Sequence, residues 1–179
     1  MDNITKAYDF YKKHIFDPQK IELLKAHNLK VAGHVHSVIW ELFCALITGE
    51  KAEGITGADL NGWEVKSAKN RAGFEYQYHR NAHLRKLTED KLINHLFCSY
   101  SEDYSEVTVR AIRGKNLSAK FFDVWEPLCI EKYSDPSNLR FRKSIPFPFV
   151  ENNGLLVLKI EGGNLVRANE HFKIDLIDT

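Results

Sequence analysis

Residues 55–69 read ITGADLNGWEVKSAK. Asn61-Gly62 sits between two short runs suited to extended backbone, a strong short-range signal of a two-residue hairpin. In the second run, Trp63 to Ala68, strand alternation puts Glu64 and Lys66 on one face and turns Val65 to the other, toward a core. Asp59 stands just before the turn, so a hairpin brings its carboxylate toward Glu64.

Two carboxylates and one ammonium then converge. Mg2+ is a hard cation that takes oxygen ligands and keeps several waters. Asp59 and Glu64 supply two such ligands, and the backbone carbonyl of Val65 adds another. Lys66 orients the attacking water and offsets negative charge, an arrangement suited to phosphodiester hydrolysis. An acid and a lysine two residues apart also suit an ordinary solvated strand. The setting argues for a site: Ala58 and Leu60 flank Asp59, Trp63 and Val65 give the strand a buried face, and Ser67 and Ala68 leave room.

Outward from this stretch, the pattern predicts helices over roughly 4–16, 18–27 and 34–48. Asp17 is the expected N-cap before Pro18, and Gly49 ends the third helix. A glycine-containing loop over 70–75 and a helix over 76–94 follow. Strands are expected at 96–101 and 106–112, then a short helix capped by Asn116 or Ser118 that reaches Trp125. The segment from 128 is turn-rich, with strands at 155–160 and 172–177 and a hairpin turn at Asn152-Asn153-Gly154. No repeat or shift in composition divides the 179 residues, which are expected to form one mixed α/β domain.

Lys and Arg total 25 against 24 Asp and Glu, which excludes a polycation but leaves room for local charge. Lys66–Lys86 carries Lys66, Lys69, Arg71, Arg80, Arg85 and Lys86 against Glu75 alone. Val107–Lys120 carries Arg110, Arg113, Lys115 and Lys120 without an acid, and Asn138–Pro148 carries Arg140, Arg142 and Lys143 without one. These segments suit phosphates around an acidic metal centre. Gln77, His79, Arg80, Asn81, Arg140, Arg142 and Lys143 are the candidate base readers, with Arg140–Lys143 expected as a recognition loop. Cys44, Cys98 and Cys129 lie far apart among apolar neighbours and read as buried free thiols. His34 and His36 read as structural or surface groups, and no zinc pattern is present. No apolar run approaches a membrane span, and Met1–Phe16 lacks a signal core, so no membrane partner and a cytoplasmic location are expected.

Asp59 followed by Glu64-Val65-Lys66 resembles the signature of the PD-(D/E)XK nuclease superfamily, and is most similar there to type II restriction endonucleases. The resemblance covers residues 55–69 directly; element order agrees more loosely over 34–112. Ala58 stands where the family usually has proline. The resemblance implies a restriction-endonuclease-like α/β fold over 1–179, a central mixed sheet flanked by helices. N-terminal helices and a turn-rich, partly β C-terminal extension complete it. It implies Asp59 and Glu64 as Mg2+ ligands, with Mn2+ as a substitute, and Lys66 as the catalytic lysine. A further acid is implied from the preceding helix, Glu41, with Glu53 as its competitor.

The expected function is that of a Mg2+-dependent type II restriction endonuclease of a prokaryotic restriction–modification system. It would hydrolyse double-stranded DNA at a short specific sequence and leave 5′-phosphate ends. Lys69, Arg71, Arg110, Arg113 and Lys115 join the base readers as expected DNA contacts. One site per chain and a palindromic target suggest a homodimer, with a heterodimer or a sequential monomeric cutter left open. A DNA repair or junction-resolving nuclease of the same superfamily and a noncatalytic DNA-binding module are the alternatives.

Overall fold

The computed structural model describes residues 1–31, 33, 35–52 and 57–178. The chain opens with helices α1 (Asn3–His14), α2 (Pro18–Ala26) and α3 (Ser37–Thr48). Asp2 caps α1 by accepting from the Thr5 amide at 2.7 Å, and Asp17 caps α2 by accepting from the Lys20 amide at 3.0 Å. Gly49 ends α3 in the left-handed conformation at φ +74°, where a side chain would be strained. The third helix starts at Ser37 instead of 34, with His36 exposed at its N-cap; His34 lies outside the described residues.

Strands β1 (Trp63–Lys69) and β2 (Phe74–His79) precede helix α4 (His83–Leu92), β3 (Asn94–Tyr100) and β4 (Val107–Arg113). A continuous helical run follows: α5 (Gly114–Leu117), a π-helical stretch at Ser118–Phe122, and α6 (Asp123–Lys132). The remainder is β5 (Arg140–Ile145), α7 (Phe147–Asn153), β6 (Leu155–Glu161), β7 (Asn164–Ala168) and α8 (Phe172–Asp175), closed by a 3-10 turn at Leu176–Asp178. Five strands form one mixed sheet in the order β1-β3-β4-β6-β7, with β1 and β3 parallel and the other pairs antiparallel. β2 and β5 pair antiparallel as a separate ribbon.

The sheet separates two apolar layers. On one face, α1 and α3 pack with Tyr11, Trp40, Phe43 and Ile47 against Val65, Leu96, Val109 and Val157. Trp40 stacks on Tyr100 at 4.9 Å between ring centroids, and Cys44 of α3 meets Cys98 of β3 with sulfurs 3.3 Å apart, both as free thiols. On the other face, the ribbon supplies Phe74, Tyr76, Tyr78, Phe141 and Ile145, which meet Phe97, Phe122 and Trp125.

Several expectations are corrected. The helix expected over 76–94 is a strand and a shorter helix, because Phe74, Tyr76 and Tyr78 are buried in alternation with exposed Glu75, Gln77 and His79. The expected loop at Arg140–Lys143 is β5, the partner of that strand. Asn152-Asn153-Gly154 ends helix α7 instead of turning a hairpin, and the Gly154 amide donates to the Val150 carbonyl. The segment 172–177 is helical, because Phe172 and Leu176, four apart, are its buried pair. Neither Asn116 nor Ser118 starts a helix; helical backbone already begins at Gly114, and Ser118 stands at the end of α5.

The Asn61-Gly62 turn forms. Leu60 and Trp63 exchange both backbone hydrogen bonds, at 2.9 and 3.0 Å, and Gly62 adopts φ +73°. Before it, Leu60 makes only an isolated bridge, so a full strand ahead of the turn is absent among the described residues; 53–56, with Glu53, lie outside them. No helix among the described residues is long and apolar enough to cross a membrane.

Candidate active site

β1 is an edge strand, so one row of its backbone groups faces away from β3. Val65 is buried at 6 % exposure, and its amide donates to Asp59 Oδ2 at 2.8 Å. Within a strand the N–H and C=O of one residue point to the same side, so the Val65 carbonyl shares this edge with Asp59. The tight turn at Asn61-Gly62 brings Asp59 back along the strand.

Glu64 and Lys66 project from the opposite face to Val65, and their side chains form an ion pair. Glu64 is 3 % exposed, yet both its oxygens are engaged: Oε1 by Lys66 and Oε2 by the Lys86 ammonium at 2.7 Å. Lys86 projects from α4 and also meets Glu89 Oε2 at 3.2 Å and Asp90 Oδ1 at 3.1 Å. These three residues have the i, i+3 and i+4 spacing of one helix face.

A second tier fixes this cluster. Asp90, fully buried, accepts at Oδ2 from the Tyr78 hydroxyl at 2.9 Å. The buried His95 ring lies 2.7 Å through Nε2 from the Asp90 backbone carbonyl and 2.8 Å through Nδ1 from the Tyr76 hydroxyl. A carbonyl can only accept, so Nε2 carries the proton and Nδ1 accepts from Tyr76. The Tyr76 ring in turn lies under the Lys66 ammonium, 4.9 Å from its centroid.

Burial pushes the Asp59 carboxyl up to about 6, and the Glu64 charge adds to the rise; Lys66 and the Val65 amide oppose it, and Glu41 contributes a smaller increase. Burial also works against a charged Glu64, but Lys66 and Lys86 outweigh it and hold that carboxyl below its ordinary range. For Lys86, burial disfavours the ammonium, but Asp90 and Glu64 raise it well above the ordinary lysine value. Burial lifts Asp90 to about 6 against the pull of Lys86, and lowers His95 to about 4, leaving it neutral.

The donor chemistry suits a hard divalent ion. Asp59 lies at a strand edge that carries a backbone carbonyl, Glu64 lies on the adjoining sheet face, and Mg2+ is commonly held by one or two carboxylates and its waters. Among the described residues, no group of three or more His, Cys, Asp or Glu side chains is disposed to hold a metal ion. Any such ion would rest on two carboxylates, one of them already paired with lysines. Glu41 is half-buried on α3, on the other face of the sheet from Glu64.

The basic residues separate into groups. On the ribbon, Gln77 pairs in register with Arg142 and His79 with Arg140, and all four are exposed on its outward side. Lys143 pairs with Tyr76 on the inward side and is half-buried. Since Tyr76 and Tyr78 point inward toward Lys66 and Asp90, the outward side of the ribbon faces away from the acidic cluster. Arg80 donates to the Asp135 carbonyl at 2.9 Å, Arg110 to that of Gly154 at 2.8 Å and Arg113 to that of Ile177 at 2.8 Å. These three guanidinium groups tie chain segments together. Lys69 pairs with Glu102 at 3.0 Å, and Asn81 and Lys115 are exposed. Arg71 and Arg110 line a cavity of about 660 Å3 with Arg167.

Lys86, Glu89 and Asp90 were not legible as site residues. Their spacing on a helix is the available signal, but what brings them to Glu64 is the packing of α4 against β2 and the helical run that begins at α5. Tyr76, Tyr78 and His95 belong to the same addition. Compared with known proteins, the chain matches no family model and no curated protein.

Proposed function

We propose that the chain is a Mg2+-dependent endonuclease that hydrolyses double-stranded DNA at a short specific sequence, in the manner of a type II restriction endonuclease. The observation that carries this reading is that Asp59 and the Val65 carbonyl share one strand edge, with Glu64 and Lys66 paired on the adjoining sheet face. Asp59 and Glu64 would hold the ion, with the Val65 carbonyl as a further oxygen donor. Bound Mg2+ supplies Lewis-acid stabilisation of phosphoryl oxygens and favours deprotonation of water. Lys66 orients the attacking water and neutralises charge that develops on the phosphate. The Tyr76 ring and the His95 hydrogen bond behind it fix the direction of the Lys66 side chain. The exposed pairs Gln77–Arg142 and His79–Arg140 lie beside Glu75 on the side of the ribbon away from the acidic cluster, so any DNA contacts they make fall outside the cleavage site. A two-fold homodimer would cut both strands of a palindromic site.

A second reading is favoured by the pairing of both Glu64 oxygens with lysines: a noncatalytic DNA-binding module in which the cluster is a structural ion-pair network. Single-turnover cleavage and DNA binding of folded Glu64→Gln and Lys66→Ala separate the two. Under the nuclease reading both variants lose cleavage and keep binding. DNA binding by the wild type without Mg2+-dependent cleavage supports the module.

A further inference from the structure

We propose that Lys86 is a built-in stand-in for the divalent ion: its ammonium occupies Glu64 Oε2 in the ion-free protein and withdraws onto Glu89 and Asp90 when the ion enters. This rests on the reading that Asp59 and Glu64 take a divalent cation. Three observations carry it. Lys86 is nearest to Glu64, at 2.7 Å, while Asp90 and Glu89 stand at 3.1 and 3.2 Å. The alternative partners lie on the same helix as Lys86, so the ammonium can shift between carboxylates by side-chain rotation alone. Finally, Asp90 is fully buried and its Oδ1 already lies 3.1 Å from the Lys86 ammonium. A buried carboxylate in ion-pair reach gives the withdrawn ammonium a partner to hold it.

The arrangement answers a problem that two buried carboxylates pose. Without a counter-ion, Glu64 would be an uncompensated buried charge. Lys66 engages one oxygen and Lys86 the other, so the Glu64 charge is compensated before any ion arrives. In this proposal an entering ion competes with Lys86, while Lys66 stays on Oε1. Lys86 is thus a positioning residue that sets the affinity of the site for its ion.

The test is Mn2+ binding to the full chain, followed by electron paramagnetic resonance of free Mn2+ and by calorimetry, with no DNA present. Lys86→Met removes the competitor, and its Mn2+ affinity should rise by about tenfold or more over wild type. Glu89→Gln, at a partly exposed position, weakens the place of withdrawal, and its affinity should fall several-fold. Asp59→Asn identifies the site by loss of binding. If Asp59-dependent binding is present but folded Lys86→Met binds Mn2+ no more tightly than wild type, the stand-in role is overturned and the metal reading stands. Should Lys86→Met fail to fold, unchanged or tighter binding by Glu89→Gln overturns it in the same way. If neither wild type nor folded Lys86→Met binds Mn2+, the metal reading itself falls, and this proposal with it.

Discussion

The Val65 amide donates to Asp59 Oδ2 at 2.8 Å, six residues back across the Asn61-Gly62 turn. One hydrogen bond thus does two things. It satisfies a donor on the edge of β1 that no strand among the described residues pairs, and it sets the Asp59 carboxylate on the same edge as the Val65 carbonyl. The geometry of the candidate metal site therefore depends on the turn.

Asp59→Asn removes the charge and nearly preserves the side-chain volume. Mg2+-supported single-turnover cleavage should fall by about 100-fold or more, on the scale seen when one preorganised electrostatic group is removed from an active site. DNA affinity should change little, because the nuclease account assigns the phosphate contacts to other residues. Parallel measurement of cleavage rate and binding checks this; an unchanged rate in the folded variant removes Asp59 from the site.

The same substitution has a stability signature. Burial, with the Glu64 charge, raises Asp59 from 3.8 to about 6 in the folded chain, so the folded state holds that proton more tightly. The stabilisation this provides is complete below 3.8 and is lost as pH rises through about 6. Asp90 behaves alike, whereas His95, lowered from 6.5 to about 4, loses its contribution as pH falls through that interval. Both of those groups remain in Asp59→Asn. Urea unfolding across this pH range should therefore show stability declining less with rising pH in the variant than in wild type. Superimposable profiles would contradict the assignment.

Tyr76→Phe deletes the hydroxyl that donates to His95 Nδ1 and leaves a buried acceptor without its partner. Unfolding free energy should drop by about 1–3 kcal/mol. Tyr8→Phe, whose hydroxyl bonds the Gly163 carbonyl at a half-buried position, serves as the comparison and should cost less. Equal losses would mean that the His95 network is not specially sensitive.

Arg140 and Arg142 share the outward side of the ribbon, and Lys143 does not. Replacing both arginines with alanine should weaken DNA binding and shallow its dependence on log salt by about 2, one for each phosphate no longer neutralised. Lys143→Ala should have a smaller effect. A loss of sequence preference with an unchanged salt slope would assign the arginines to bases.

How much of the molecule was legible in its sequence depended on the range of the interactions involved. β1 and its Asn-Gly turn could be read because both signals are local: the turn residues set the backbone, and strand period sets the faces. Glu64 and Lys66 fell on one face for that reason. β2, expected as part of a helix, carries a local alternation of aromatic and polar residues, and its pairing with the distant β5 sets Phe74, Tyr76 and Tyr78 as the inward row. The 172–177 segment shows the opposite error, since Phe172 and Leu176 fit a helical repeat as well as an alternating apolar pattern. Lys86 and Asp90 are not legible because their role exists only once α4 packs on β2 and brings Lys86 to Glu64. The basic segments looked alike in sequence, but bonds to backbone carbonyls give Arg80, Arg110 and Arg113 a structural task.

Incubation of the wild-type chain and Asp59→Asn with mixed-sequence duplex DNA, with and without Mg2+, followed by mapping of every end, tests the central claim most directly. The nuclease account predicts discrete 5′-phosphate ends at a recurring short sequence, formed only with Mg2+ and only by wild type. Intact DNA after incubation with folded wild type and Mg2+, or the same ends from Asp59→Asn, would contradict it.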